Sequence, residues 1–461
     1  MGRTGKIIGF CVVVTVMTAL FSCKQEDTTA LKDHEWYSGG KQTVFIHGSG
    51  AFSQVFPHLS AEKLKMHDRG DKLFEATFNN DPTTRFFGLG PIFNAESCVS
   101  CHVGDGRGKV PVNNGDPMGT LLLRIAQMQP LEGGKPNPYP NFGGQVQHRS
   151  ILGVKAETDI LVTFTEQQFA FPDGEVYTLR QPHYQFVNAY KAMPSAYMLS
   201  ARMPSPVFGL GLLEAVPEST LEGWEDPSDL DGDGIKGRRN VVHSALGGDW
   251  KTGRFGWKAG QPTVIEQTAG ALNQDMGITS YIMPVENAFG QDQMLGVNVR
   301  KEISDSNLVA LAYYVRSLAV PGRRNADDAD VLEGKRFFHL VGCGGCHKSG
   351  YYTGSNMIDP ELNYQKIYPY TDLLLHDMGA GLADGYTEFR ANGSDWRTPP
   401  LWGIGLTKTV NGNQHYLHDG RARNFTEAIM WHGGEAQKSA NEFSKLTAEE
   451  RAKVMKFLNS L

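Results

Sequence analysis

Two five-residue stretches decide the reading of this chain: Cys98-Val99-Ser100-Cys101-His102 and Cys343-Gly344-Gly345-Cys346-His347. Each sets two thiols and an imidazole within little more than one helical turn. That spacing lets both vinyl groups of a porphyrin be taken as thioethers while the adjacent histidine reaches the iron from below. The rival readings are a redox dithiol or half of a zinc site. At this composition one chance match is expected about two times in a thousand, and the chain holds two. The expectation is therefore two covalently bound haem c groups, on Cys98, Cys101 and His102 and on Cys343, Cys346 and His347, with His102 and His347 as iron ligands.

The other two of the six cysteines are N-terminal. Arg3 and Lys6 precede an uncharged apolar run, Ile7 to Phe21. A membrane-spanning helix needs about 20 such residues, so the run reads as a signal peptide over residues 1–22. It ends Leu20-Phe21-Ser22-Cys23, which resembles a bacterial lipobox and makes Cys23 the expected lipidated residue, anchored to a membrane of the bacterial cell envelope. Cys11 leaves with the signal, and no thiol remains for a disulfide or a free-thiol mechanism.

The 461 residues suggest two to four domains. A hydrophobic content of 40% and a charged content of 20% exclude a disordered polymer and a membrane bundle. Glycine and proline, 53 and 23 residues, predict long loops. A net charge of −6 leaves no basic footprint for nucleic acid. The haem motifs sit in related units: Gly70-Asp71-Lys72-Leu73-Phe74 precedes the first, and Gly334-Lys335-Arg336-Phe337-Phe338 the second. Each unit closes on a helix, expected over 307–318 and 448–461, the latter with a Thr447/Glu450 capping box. A helix on either side of the motif is the plan of a cytochrome c domain. The expected fold is mainly α, with two cytochrome c-like domains and long loops. From its motif to its closing helix the first unit is about 100 residues longer than the second, so it carries a large insertion. The expected boundaries are an N-terminal lead-in over 23–68, a first domain over 69–325 and a second over 326–461, joined by a polar linker at 319–333.

Arg397-Thr398-Pro399-Pro400-Leu401 and Tyr416-Leu417-His418-Asp419-Gly420, together with the two motifs, resemble the bacterial di-haem cytochrome c peroxidases. Closer still are their relatives, the di-haem oxidoreductases, to which Gly209 to Glu218, Arg254 to Ala259 and Asp275 to Thr279 are similar; the enzymes of methylamine-dehydrogenase maturation are related too. The resemblance implies that the N-terminal haem meets peroxide or another small oxidant. It also implies that the C-terminal haem receives electrons from a donor protein or small redox carrier. It places Trp257 between the haems, matches Gln267 and Gly270 to a Gln-x-x-Gly run, and puts Asp275 where those peroxidases hold a catalytic glutamate. A carboxylate there can shuttle the proton that O–O cleavage requires; otherwise Asp275 is a helix cap or a surface residue.

The sixth iron ligands are less evenly marked. The peroxidases hold a displaceable histidine where this chain has Met118, which reads as a ligand or as loop. His148 and His183 sit on no motif. For the second haem, Phe425, Ala428, Ile429 and His432 share one face of a helix capped by Asn424, and the resemblance puts the distal ligand at His432; Met430 competes but points elsewhere. Apart from haem, Asp229, Asp231 and Asp233 open a D-x-D-x-D-G loop that reads as a calcium site or as an acidic turn, position 12 being Asn240.

The leading reading is a lipid-anchored, peroxidase-like di-haem oxidoreductase. The alternatives are a non-enzymatic di-haem electron carrier and an oxygenase. Changing Cys98 or Cys343 to Ala should remove covalent haem at that site alone, seen as a mass loss of one haem; retention of two covalent haems would refute the c-type reading.

Overall fold

The computed structural model describes residues 1–2, 35–294, 301–356 and 359–461. The expected signal peptide and Cys23 thus lie almost wholly outside the described residues, among which no helix is long and apolar enough to cross a membrane.

The first unit is built on α1 (Ala61–Glu75), α2 (Val264–Met276) and α3 (Asp305–Arg316), each started by a hydroxyl cap from Ser60, Thr263 or Ser304. The second is built on α4 (Ala329–Leu340), α5 (Phe425–Met430) and α6 (Ala448–Ser460). Asp328 and Asn424 cap α4 and α5, and α6 carries the expected Thr447/Glu450 capping box. Helix α1 packs on α3, and α4 on α6.

The paired glycines explain both crossings. A Cβ on Gly70 would stand 2.1 Å from the Ala310 carbonyl oxygen, and one on Gly334 would stand 2.0 Å from that of Lys453. Only glycine lets the backbones approach so closely. Four residues later, Phe74 and Phe338 put their rings 6.1 Å from His102 and 6.3 Å from His347. The short Gly-x-x-x-Phe pattern thus sets the helix crossing and covers the motif histidine in both units.

Among the described residues helix accounts for 29% and strand for 17%, so the mainly-α expectation overstates the helix. Strands concentrate in the insertion: β1 (Leu122–Ala126), β2 (Asp159–Ala170), β3 (Val176–Val187) and β4 (Met198–Arg202). β1 pairs antiparallel with β4, and β2 with β3. Alternation drives them: on β2, Ile160 and Val162 are buried between exposed Asp159, Leu161 and Thr163, and on β1, Leu123 and Ile125 are buried while Leu122 and Arg124 are half-buried. In the second unit, β5 (Leu375–Asp377) pairs with β6 (Asp395–Arg397).

The β2–β3 hairpin leaves its own unit and clasps the other. Phe171, at its tip, joins the core of Val331, Phe337 and Phe443. Arg451 of α6 lies over the Phe171 ring at 4.0 Å and pairs with Asp173 and Glu175, both at 2.6 Å. Arg180 of β3, fully buried, donates to the Arg421 carbonyl at 2.9 Å.

The expected boundaries shift accordingly. Helix α1 begins at Ala61, so the 68/69 boundary cuts through it. The lead-in also belongs to the folded body, since Thr43 and Val44 pair with Val320 and Pro321. The expected polar linker is buried at Val320 and at Arg323, which with Lys335 holds the buried Glu35 carboxylate.

Phe171→Ala should lower stability by about 3 kcal/mol, the usual cost of emptying a buried phenylalanine site. Amide exchange should rise in α6 before α1. Unchanged exchange in α6 would show that the hairpin does not hold the second unit.

Candidate active site

Each motif faces a cavity. The first is lined by Cys98, Cys101 and His102, by Leu122 and Arg124 of β1, by Arg202 to Phe208, and by Val264, Gln267, Gly270, Ala271 and Asp275 of α2. The second is lined by Cys343, Cys346 and His347, by His376, Trp396 and His418, and by Ala428, Ile429 and His432. Arg107, Trp257, Arg397, Pro399 and Ile404 line both and so form the wall between them.

Three histidines share one arrangement. His102 Nδ1 lies 2.8 Å from the Ser205 carbonyl oxygen, His347 Nδ1 2.9 Å from that of Tyr370, and His432 Nδ1 2.7 Å from that of Ala428. A carbonyl only accepts, so each Nδ1 carries the proton and leaves Nε2 with a free lone pair, the usual posture of a metal-ligating imidazole. Burial lowers all three below the ordinary histidine range, His347 to about 4, which keeps them neutral. Burial also pushes the Cys98, Cys101 and Cys343 thiols up to about 12. A redox dithiol needs the opposite shift.

The shared wall tests whether haem fits. Arg107 is buried with Nε and Nη1 lacking any hydrogen-bond partner. Arg397, also buried, donates Nε to the Gly256 carbonyl at 3.0 Å and Nη1 to that of Thr398 at 3.2 Å. Burial lowers it to about 10. Among the described residues neither has a carboxylate ion-pair partner. An uncompensated buried guanidinium costs several kcal/mol, and haem propionates are the anions that would neutralise this pair. Donor set, apolar walls and orphaned cations all fit one haem in each cavity.

Trp257 stands in the shared wall and donates Nε1–H to the Met203 carbonyl at 2.8 Å. Gln267 and Asp275 line the first cavity from α2. Asp275 is the penultimate residue of α2, at the C-terminal end, so it caps nothing, and the helix dipole there opposes a negative charge. Burial pushes its carboxyl up to about 6, although Gln145 donates Nε2–H to Oδ1 at 2.7 Å.

Met118, by contrast, is packed in a core with Val110, Leu121 and Leu123 and is not among the lining residues. His148 bonds Asn94, and His183 bonds Thr165 on the hairpin, so neither lines the first cavity. His102 is the one imidazole among its described lining residues. Met430 packs against the second unit's core and does not line the second cavity, whereas His432 does.

The acidic loop gathers Asp226 with Asp229 and Asp231, and not Asp233. Its own amides occupy these carboxylates: Leu230 N donates to Asp226 at 2.7 Å, Gly234 N to Asp229 at 3.0 Å and Asp233 N to Asp231 at 3.1 Å. That is how an acidic turn satisfies itself.

Sequence reasoning missed Arg107, the part played by Arg397, whose stretch it used for resemblance alone, and the Asp372–His376–Glu435 trio beside the second cavity. His376 Nε2 lies 3.0 Å from Asp372, and its Nδ1 lies 2.8 Å from Glu435. Burial alone would lower His376, but the Asp372 carboxylate and the neighbouring Cys346 sulfur raise it well above the ordinary range. The stretch His432-Gly433-Gly434-Glu435 thereby ties the segment bearing His432 to β5; nothing in its spacing names the partner.

Residues 33–461 match the family described as "Di-haem oxidoreductase, putative peroxidase". No curated protein matches. Solved structures that show weak likeness include the following two. Hydrazine synthase of Kuenenia stuttgartiensis is 22% identical over 39% of this chain and 65% of that one, with a TM-score of 0.24. A MauG-like protein associated with microbial copper homeostasis is 16% identical over 55% of this chain and 89% of that one, with a TM-score of 0.27.

His432→Ala should convert the second haem from low-spin to high-spin, while Met430→Ala should leave its spectrum unchanged. The reverse outcome would transfer the distal ligand to the sulfur.

Proposed function

The chain belongs to the di-haem oxidoreductase, putative peroxidase family, and from that premise we propose that it reduces peroxide at the first cavity with electrons entering through the second. Family membership brings two haem groups. Their covalent attachment through Cys98, Cys101, Cys343 and Cys346 is part of the proposal, as are iron ligation by His102, His347 and His432, residence in the cell envelope through a lipid on Cys23, and an external donor protein or small redox carrier.

The observation that carries this reading is the asymmetry of the donor sets. His347 and His432 line the second cavity together, both with Nε2 free, which suits electron transfer without exchange of small molecules. The first cavity offers His102 and, from α2, a carboxylate and an amide. That difference favours an enzyme over a simple electron carrier.

When bound, a haem iron supplies the open coordination position and the electron exchange on which peroxide reduction depends. The chain's own groups handle the protons. Reducing one peroxide to two waters takes two electrons and two protons, and one oxygen must lose its proton before the other can leave as water. Asp275, with Oδ1 held by Gln145, takes that proton on Oδ2 and returns it to the departing oxygen. A carboxyl near 6 suits both directions at neutral pH. Gln267, two turns earlier on α2, offers an amide N–H to orient the oxidant. Trp257, packed against Leu382 and Trp396, provides an aromatic bridge between the cavities. Asp is one methylene shorter than the glutamate of the related peroxidases, and its place near the end of α2 sets its reach.

Asp275→Asn should leave both haems bound and lower peroxide turnover by about 10²–10⁴-fold, the usual scale for losing a general acid/base. Turnover in the native protein should rise with pH through about 6, as the carboxylate forms, and the variant should lose this limb. Asp275→Glu should retain activity. Equal turnover in native protein and Asp275→Asn would remove the carboxylate from the mechanism.

A further inference from the structure

We infer that Gln145 is the positioning residue of Asp275, and that Asn94 and His148 fix the orientation in which it works. The inference rests on Asp275 as the proton carrier and adds what makes that carboxylate competent.

Gln145 is fully buried, and its amide could present either end to Asp275. The N–H end steadies the carboxylate; the C=O end would repel it. The surroundings permit one orientation. Gln145 Nε2 lies 2.7 Å from Asp275 Oδ1, 2.7 Å from Asn94 Oδ1 and 3.0 Å from the Gln274 carbonyl oxygen, a set made only of acceptors. That Asn94 shows its oxygen is fixed in turn, because its Nδ2 donates to the Val146 carbonyl at 2.8 Å and lies 2.9 Å from His148 Nδ1. Burial and Arg149 lower His148 to about 4, so its ring is neutral and Nδ1 can accept. From His148 inward, each group leaves the next a single way to satisfy its hydrogen bonds.

Two further features show a built arrangement. Asn94 N and Ala95 N donate to the Asp275 carbonyl oxygen at 2.8 and 3.1 Å, so the backbone of the same segment grips the residue whose side chain Gln145 holds. Gln145 Oε1 is buried with no partner among the described residues, and turning the amide over would point that oxygen at three acceptors and leave the buried Nε2–H groups unpaired as well. With Oδ1 engaged, Oδ2 is the oxygen left for the cavity. The charged group facing the carboxylate is Arg124 of β1; the Cys98 and Cys101 sulfurs stay uncharged, as buried thiols or as thioethers.

The test is an infrared pH titration of the holoprotein, following the carboxyl band that disappears in Asp275→Asn. In the native protein its midpoint should lie near 6. An N–H donor favours the anion, so Gln145→Leu should move the midpoint up to about 7. His148→Phe, at a partly exposed site that spares the fold, should move it the same way by less. The acid limb of peroxide turnover should follow, with kcat about tenfold lower in Gln145→Leu and KM within about twofold. Adding Gln145→Leu to Asp275→Asn should cost nothing more, since its effect passes through the missing carboxylate. An unmoved midpoint in both single variants, or a full additional loss in the double variant, would overturn the inference. If the midpoint moves while Asp275→Asn turns over like native protein, positioning stands and the proton-carrier role falls.

Discussion

Two buried guanidiniums that have no carboxylate ion-pair partner among the described residues govern this structure. Arg107 and Arg397 stand in the wall that both cavities share. The penalty for such charges falls only if anions arrive, and porphyrin carboxylates are the anions whose carriers the neighbouring motifs select. The wall thereby couples cofactor binding to the closeness of the two units. It also places Trp257 between the two cavities.

The rest of the fold keeps that wall in register. Gly70 and Gly334 allow the close helix crossings that hold each motif against its helices, and the β2–β3 hairpin reaches from the first unit into the core of the second. The Asp372–His376–Glu435 trio fastens the segment after His432 to β5. The first cavity is assembled otherwise: α2 ends in it, and segments 90–95 and 144–147 clamp its last turn around Asp275.

What the sequence disclosed follows from how local each signal is. The C-x-x-C-H motifs, the Gly-x-x-x-Phe repeats and the Thr447/Glu450 cap are complete within a few residues, and each could be read directly. His432 followed from the resemblance together with helical spacing, which also turned Met430 away. Trp257, Gln267 and Asp275 were found by resemblance alone, because their meaning depends on a cavity whose walls come from distant segments. The long hairpin was missed: its strands run into polar residues such as Glu166, Gln167 and Gln168, which obscure the alternation. Met118 occupies the position of a ligand in the related peroxidases yet packs in a core near β1. Arg107 stood on no motif and Arg397 on one read only by resemblance; that their charges are unpaired was illegible, because it is a property of the surroundings.

Under the proposed function the two sites differ: His347 and His432 would close the second iron, while His102 alone would leave the first open to a small oxidant. Electron paramagnetic resonance of the oxidised protein tests this most directly. One low-spin and one high-spin ferric haem, the high-spin signal alone being lost on adding hydrogen peroxide, is the predicted result. Two low-spin haems, both indifferent to peroxide, would contradict the account.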